Sequence, residues 1–477
     1  MELLDTIFAK ICYILDKNGE IMIKSNSFIE SYRLIIYAVA IGLLFYALAR
    51  IGFSDIQARL VGVIAFLVTL WTNNGLHMGV VSLLPILLFP MFGLVEAKDV
   101  VMNYSKTTIF LFVGGFLLAI ATEKSELHKR LATKLLSIFP NTPRGVLYSL
   151  MLTAGLLSSI LSDTTTALLI IPIAAFLTDN PNYKFRLLLG VAYASLIGGI
   201  ITPVGTPPNL ILMDFIEANG LEMIPFATWT AMMLPLAIIM MISAAEILLY
   251  GLKKEDFELV EIDMTKSPLS RDQRKLVWIL SSLAIILASN PILMYLFDIH
   301  INEKLTLLSF GLFLFLPKVN LLEWKEDFSK IPFAIVFLFG AGFSIAMAFQ
   351  KTDLATEIAN ILVSFNYLPP IALMLIIGVG VVFATELTSN TALTSIMIPI
   401  IYPFAIKSGL DPMLFMLIVA ISASYAFMLP IATAPNAIAM STGHVKTTQM
   451  MKRGIWLNIF GIIITFTVAL TYWKLFL

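Results

Sequence analysis

The sequence predicts an all-α polytopic membrane protein of about eleven transmembrane helices and two re-entrant hairpins, built as an inverted repeat with an offset of 227 residues. Three observations predict it. The 477 residues are 59% hydrophobic and 13% charged, with a mean hydropathy of +0.91, and a soluble domain carries roughly twice that charged fraction. Apolar runs of spanning length, roughly 20 residues each, recur along the chain. Two of those runs are broken by polar, proline-containing stretches of the same form.

Composition also excludes. A formal net charge of zero gives no case for nucleic acid. Cys12 is the sole cysteine, which removes disulfide frameworks and thiolate metal sites. His77, His128, His300 and His444 are scattered without metal-ligand spacing. No glycine motif cradles a nucleotide phosphate, and no nucleophile–base or metal constellation argues for an enzyme. Residues 1–32 are amphipathic and mixed in charge (Glu2, Asp5, Lys10, Asp16, Lys17, Lys24), so they read as a cytoplasmic or interfacial helix rather than a signal peptide.

The first half, 33–250, holds spans at 33–52, 57–74 and 77–95 and a fourth from 106. A long basic helix, 122–139, is expected to continue the fourth span into the cytoplasm. Residues 144–178 are interrupted at Ser158-Ser159 and Ser162–Thr166 and read as an inner hairpin. A fifth span, 187–218, and a sixth, 227–250, follow. A cytoplasmic loop, 251–275, separates the halves. The second half, 276–477, repeats the order with spans at 276–297, 304–317 and 331–350 and a short polar helix at 351–363. An outer hairpin at 367–405, a tenth span at 412–443 and a last span complete it.

The fifth span contains Ile200-Ile-Thr-Pro-Val-Gly-Thr-Pro-Pro-Asn209. Proline lacks a backbone donor and clashes with the preceding turn, so this segment must open. Open backbone at membrane depth is tolerated only where it is buried in protein or lines a polar cavity, and such a break points to a transporter's binding site. The motif recurs. Adding 227 superposes the halves without a gap: Phe112 on Phe339, Gly115 on Gly342, Lys124 on Lys351, Ser162 on Ser389, Thr206 on Thr433, Asn209 on Asn436 and Trp229 on Trp456. The offset matches the fourth span to the ninth, and an odd number of spans per copy inverts the second copy. With the N-terminus cytoplasmic, 23 of the 31 Lys and Arg fall on cytoplasmic segments, as the positive-inside rule requires. The C-terminus then lies outside.

Two hairpin tips and two broken spans should converge. Hydroxyls and amide donors hold a carboxylate or sulfate, and freed carbonyls ligate a hard cation. Neither motif contains Lys or Arg, so anion affinity would depend on bound cations, the electrostatic logic of symport. Glu386 is an intramembrane carboxylate beside the second tip, and such residues are functional by default. Glu123 and Glu246 lie near the membrane faces.

Ser389-Asn390-Thr391, Thr206-Pro207-Pro208-Asn209, Gly114-Gly-Phe116, Leu127-His-Lys-Arg130 and Ala432–Ala437 are similar to motifs of the divalent anion/sodium symporters, and the resemblance covers residues 33–477. It implies a homodimer in the cell membrane, working as an elevator between two membrane faces and carrying small dianions, C4-dicarboxylates foremost, with Na⁺. It also implies a first sodium site of Ser158, Ser162, Asp163 and Gly205 and a second of Thr385, Thr388, Asn390 and Ala432. Substrate would touch Ser162, Asp163, Thr164, Thr206, Pro207, Ser389, Asn390, Thr391, Thr433 and Ala434. A sodium-independent exchanger, a proton-coupled carrier using Asp163, and a cation/proton antiporter are the alternatives.

Two positions depart from the family pattern. Ala434 stands where the first copy has Pro207, which leaves the second break less constrained by its own residue. Asp163 stands where Asn is expected and where the second copy has Asn390. An ionised carboxylate only accepts hydrogen bonds, and two like charges ~4 Å apart repel by about 4 kcal/mol at an effective dielectric near 20. A dianion beside ionised Asp163 therefore needs an intervening cation or proton.

Overall fold

The computed structural model describes residues 27–73, 75–253, 268–298, 301–364 and 368–477. Most of the expected N-terminal helix over 1–32 and most of the loop 251–275 lie outside the described residues. Every regular element among the described residues is helical.

The chain begins with α1 (Ser27–Ala49) and α2 (Asp55–Asn73), which pack closely, then α3 (Met78–Val81), α4 (Leu84–Met91) and α5 (Ala97–Asn103). Next come α6 (Thr107–Lys124), α7 (Leu127–Ile138), α8 (Pro143–Ser158) and α9 (Asp163–Phe176). The half ends with α10 (Pro181–Gly199), α11 (Pro207–Ala218) and α12 (Phe226–Leu249). The second half comprises α13 (Arg271–Phe297), α14 (Glu303–Phe313), α15 (Trp324–Asp327), α16 (Phe333–Lys351) and α17 (Leu354–Val363). It finishes with α18 (Pro370–Thr385), α19 (Asn390–Lys407), α20 (Pro412–Ser422), α21 (Ala434–Ser441) and α22 (Thr447–Thr471). Six helical segments among the described residues are long and apolar enough to cross a membrane: Tyr32–Ala49, Asp55–Asn73, Ala97–Lys124, Phe226–Leu249, Phe333–Lys351 and Thr447–Leu475.

The interruptions read from sequence fall where the helices stop. Proline opens α8, α10, α11 and α20 at a position whose N–H has no intrahelical acceptor. Side chains complete several of these starts: Thr142 Oγ1 accepts from Gly145 N at 3.0 Å, and Asp411 Oδ1 accepts from Met413 N at 2.9 Å.

One expectation is corrected. The long helix over 122–139 does not continue α6: the chain turns at Glu126, whose φ of 55° is left-handed, and α7 starts afresh at Leu127. A left-handed residue ends the α-helical hydrogen-bond ladder. Asp353, 227 residues later, has a φ of 56° and makes the same corner between α16 and α17.

Ion pairs cross between the halves at these corners. Lys124 pairs with Asp327 of α15 at 2.7 Å, and Lys351, its counterpart, pairs with Asp99 of α5. Phe112 and Phe339, also counterparts, stack with centroids 4.1 Å apart.

The core divides into three apolar groups that ignore the boundary between halves. The largest joins α8 to α12 with α18 to α22. A second is built mainly from α6, α13, α14 and α16. A third gathers α1 to α5 around α16 and α17. Both hairpins and both broken spans thus share the first group.

Candidate functional site

The inner hairpin is α8–α9 and the outer hairpin is α18–α19; the broken spans are α10–α11 and α20–α21. Each break is held by the same brace. Asn209 Nδ2 donates to the carbonyls of Gly199 (3.1 Å) and Thr202 (2.9 Å). Asn436 Nδ2 donates to those of Ala426 (2.8 Å) and Leu429 (3.0 Å). All four acceptors are related by the 227 offset, and both asparagines are fully buried. An open turn at membrane depth leaves carbonyls without ladder partners, and a side-chain amide supplies two donors to them.

The second break is shaped like the first despite Ala434. Thr206 has φ −143° and ψ 147°, and Thr433 has φ −144° and ψ 154°. Proline still occupies the second position of each following helix, at Pro208 and Pro435. The asparagine brace and this second proline hold the bend.

Each hairpin tip touches its own broken span. Ser158 Oγ donates to Asp163 Oδ1 at 2.8 Å, and Thr206 Oγ1 lies 3.4 Å from Asp163 Oδ2. In the second copy Thr385 Oγ1 lies 2.6 Å from Asn390 Oδ1 and 2.7 Å from the Ala423 carbonyl. Thr202 Oγ1 donates to the Ser159 carbonyl at 2.5 Å. The outer tip uses a carboxylate for the same tie: Glu386 accepts from Met428 N (2.8 Å), Leu429 N (3.0 Å) and Asn458 Nδ2 (2.8 Å). Glu386 therefore holds the outer hairpin to its broken span. Glu246 is paired with Arg144 at 2.6 Å and accepts from Tyr148.

Two glycines set how closely these pieces approach. A Cβ on Gly199 would come within 2.4 Å of Asp163 Oδ1, and one on Gly205 within 2.3 Å of the Gly199 carbonyl. The counterparts of these glycines are Ala426 and Ala432, so the first copy is packed more tightly around its tip.

A cavity of about 750 Å³ opens between the tips and both breaks. Asp163, Thr164, Thr206 and Pro207 line it from the first copy. Thr388, Ser389, Asn390, Thr391, Ala432, Thr433 and Ala434 line it from the second. Among the described residues its lining contains no Lys, Arg or His and a single acidic residue, Asp163. A smaller cavity of about 70 Å³ adjoins Asp163 and is bordered by Ser162 and Gly205. Ser162 does not reach the larger space; its hydroxyl caps α9 through Thr165 N at 3.2 Å. Ser158 and Thr385 lie behind the tips, fully buried.

Polar atoms around the site remain unpartnered. Thr433 Oγ1, Asn209 Oδ1 and Asn436 Oδ1 are buried without a hydrogen-bond partner, an arrangement that costs about 1–3 kcal/mol per group unless a ligand or water supplies the bond. Among the described residues no three His, Cys, Asp or Glu cluster in a way that could hold a metal. Oxygen ligation here would rest on hydroxyls, amides, carbonyls and Asp163. Sequence reasoning missed the braces of Asn209 and Asn436, although both motifs contained them. It also missed the Ala423 carbonyl and Gly199, which no side-chain signal marks.

The citrate transporter family matches residues 63–420. The sodium-dependent dicarboxylate transporter SdcS of Staphylococcus saprophyticus is 28% identical over 442 residues, covering 86% of this chain and 85% of that protein. SdcS of Staphylococcus aureus is 28% identical over 436 residues, covering 85% and 84%. Two solved structures share the fold. The YdaH transporter of Alcanivorax borkumensis superposes with a TM-score of 0.60 at 13% identity, covering 84% of this chain and 99% of that one. MtrF of Neisseria gonorrhoeae gives 0.58 at 14% identity, covering 94% and 96%. The helical fold, the apolar spans and a match across three quarters of the sequence agree: the chain belongs to the citrate transporter family, divalent anion/sodium symporters that are integral membrane transporters and not enzymes.

Proposed function

We propose that this chain is a secondary active transporter carrying small dianions, C4-dicarboxylates such as succinate and malate foremost, together with Na⁺. The observation that carries the reading is the cavity between two braced breaks and two hairpin tips, whose polar lining among the described residues is Thr and Ser hydroxyls, the Asn390 amide and Asp163, with no cationic side chain. Such a lining orients a dianion without neutralising it, so co-bound cations must supply the positive charge. The names of the relatives support both the substrate class and the ion.

The first Na⁺ would sit at Ser158, Ser162, Asp163 and Gly205, where a carboxylate and a tightly approached backbone converge. The second would use Thr385, Thr388, Asn390 and Ala432, with the Ala423 carbonyl added. Substrate would meet Asp163, Thr164, Thr206, Pro207, Ser389, Asn390, Thr391, Thr433 and Ala434, which line the larger cavity, whereas Ser162 borders only the smaller one. The unpartnered Thr433 Oγ1 supports that placement.

The inverted repeat is supported by the paired braces, the paired left-handed corners and the Phe112–Phe339 contact. An elevator draws on the sharing of one apolar body by both hairpins and both broken spans, together with α12 and α22. In this reading that body moves against the rest within each protomer of a homodimer. In the same reading the chain would cross the membrane eleven times, with the N-terminus in the cytoplasm and the C-terminus outside.

Uptake of radiolabelled succinate into proteoliposomes, with and without an inward Na⁺ gradient, tests the proposal. Gradient-dependent accumulation is the expected result. Absence of uptake or exchange with every dicarboxylate and with sulfate would overturn it.

Asp163 favours a second reading of the coupling alone, in which the carboxylate binds Na⁺ more tightly than an amide does or takes up H⁺ instead. Asp163→Asn should then lower apparent Na⁺ affinity by about tenfold or more, or shift the pH profile of uptake. Identical sodium and pH profiles in both forms would reject it.

A further inference from the structure

The two broken spans are held in different ways. Three other helices tie α11 by side chains. Lys106, at the start of α6, pairs with Asp214 at 2.7 Å. Lys304 of α14 pairs with Glu217 at 2.5 Å. Gln350, near the end of α16, donates from Nε2 to Asn219 Oδ1 at 3.1 Å. All three acceptors lie in the last turns of α11 or at its C-cap. The side-chain bonds of α21, the matching half-helix, stay within its own break and helix or reach Thr447. Among the described residues none reaches α6, α14 or α16.

Cover follows the ties. Val204, in the tied break, is 8% exposed, and Ile431, its counterpart in the untied break, is 74% exposed. Ile431 borders the cavity of about 750 Å³, whose walls include Trp71 of α2 and Leu338 of α16. The two half-helices are also linked to each other, since α10 runs through its break into α11 and α21 packs on α9 and α10.

We propose that the three ties on α11 form a latch that holds the cavity open beside the second copy, and that closing it over Ile431 requires them to part. The inference rests on the elevator reading above and adds which contacts hold one of its two states. Closure carries α21 toward α2 and α16, and α10 and α11 follow. Hydrogen bonds to nitrogen span about 2.7–3.2 Å, so a displacement of about 1 Å along them breaks all three. Contacts made in one state and lost in the other bias the equilibrium by their differential energy. Exposed ion pairs contribute little, but Asp214 is only 5% exposed and depends on Lys106 for its charge.

The test uses the full chain in a neutral detergent with Cys12, its sole cysteine, changed to serine and a reporter introduced by Ile431→Cys. The rate of reaction with a charged maleimide is read without cargo or Na⁺. The parent should label readily. Lys106→Met/Asp214→Leu removes the pair without stranding a charge and should slow labelling by about five- to tenfold as the population shifts. Glu217→Gln and Gln350→Ala alter exposed side chains that the fold does not depend on, and each should slow it by about twofold. Lys351→Met/Asp99→Leu removes a pair that joins α16 to α5 and should leave the rate unchanged. An unchanged or faster rate in the latch variants overturns the proposal, as does equal slowing in the Lys351 control or a parent that labels slowly. Failure to transport any dianion would strike the transport reading and leave the latch to be judged by labelling alone.

Discussion

Lys106 Nζ lies 2.7 Å from Asp214 Oδ2 and joins the start of α6 to the buried face of α11. Asp214 is only 5% exposed, and the ammonium also sits 4.9 Å above the Phe343 ring. Lys304 of α14 makes a second clasp on the same half-helix, reaching Glu217 at 2.5 Å and Thr108 Oγ1 at 3.0 Å. Removing one member of a buried pair strands the other charge, at a cost of about 3–5 kcal/mol, whereas replacing both with apolar side chains is often neutral. Lys106→Met should therefore lower stability by about 3 kcal/mol, and Lys106→Met/Asp214→Leu should recover most of it. Unfolding in detergent measures both; a single variant as stable as wild type would show that the clasp is immaterial.

Thr433→Val separates binding from folding. The hydroxyl is buried without a partner, so an isosteric apolar replacement removes a desolvation cost and should leave stability equal or higher. Uptake should fall by roughly tenfold if the hydroxyl bonds cargo, the value of a lost hydrogen bond of about 1.5 kcal/mol. Unchanged uptake in a well-folded variant would remove Thr433 from the site.

The two breaks should answer differently to the same methyl group. Gly205→Ala drives a Cβ to 2.3 Å from the Gly199 carbonyl, a backbone atom that cannot swing away. Overpacking costs typically about 1–3 kcal/mol, and this variant should lose both expression and transport. Ala432→Gly in the second copy should fold normally. Equal yields of Gly205→Ala and wild type would contradict the close approach.

Asp327 links stability to acid pH at the corner below α6. Burial alone would push its carboxyl up, but the Glu323 N–H and the ammonium groups of Lys124 and Lys330 outweigh this and hold it at about 2, against an ordinary 3.8. A depressed carboxyl stabilises the fold fully above its unfolded value and loses that contribution as pH falls through the folded one. The difference in unfolding temperature between wild type and Asp327→Asn should thus be constant above about pH 4 and shrink toward about pH 2. A difference that stays level through that window would show that the three partners do not favour the ionised form.

Where the fold was legible, the signal was local. Pro143, Pro181, Pro207 and Pro412 each mark a helix start, and the polar runs at Ser162–Thr166 and Thr388–Thr391 lie at the junctions of α8 with α9 and of α18 with α19. The corner at Glu126 was not legible, because neither glycine nor proline stands there and the turn is taken by an ordinary residue. Nor does any short-range pattern announce that Lys124 pairs with Asp327, 203 positions away, or that Asn209 braces carbonyls within its own loop. Those contacts follow from packing. In the site itself the residue types were readable, while the contrast between engaged Ser162 and unpartnered Thr433 required coordinates.

Phe112 rests on Phe339, its own counterpart. A substitution at either position removes the ring against which the other packs, so the two positions are coupled by direct contact. Trp229 and Trp456 stand under no such constraint. The first is fully buried with its indole N–H on the Ile200 carbonyl, and the second is 55% exposed. Counterparts that meet, as Phe112 and Phe339 do, thus share one environment, whereas Trp229 and Trp456 occupy two.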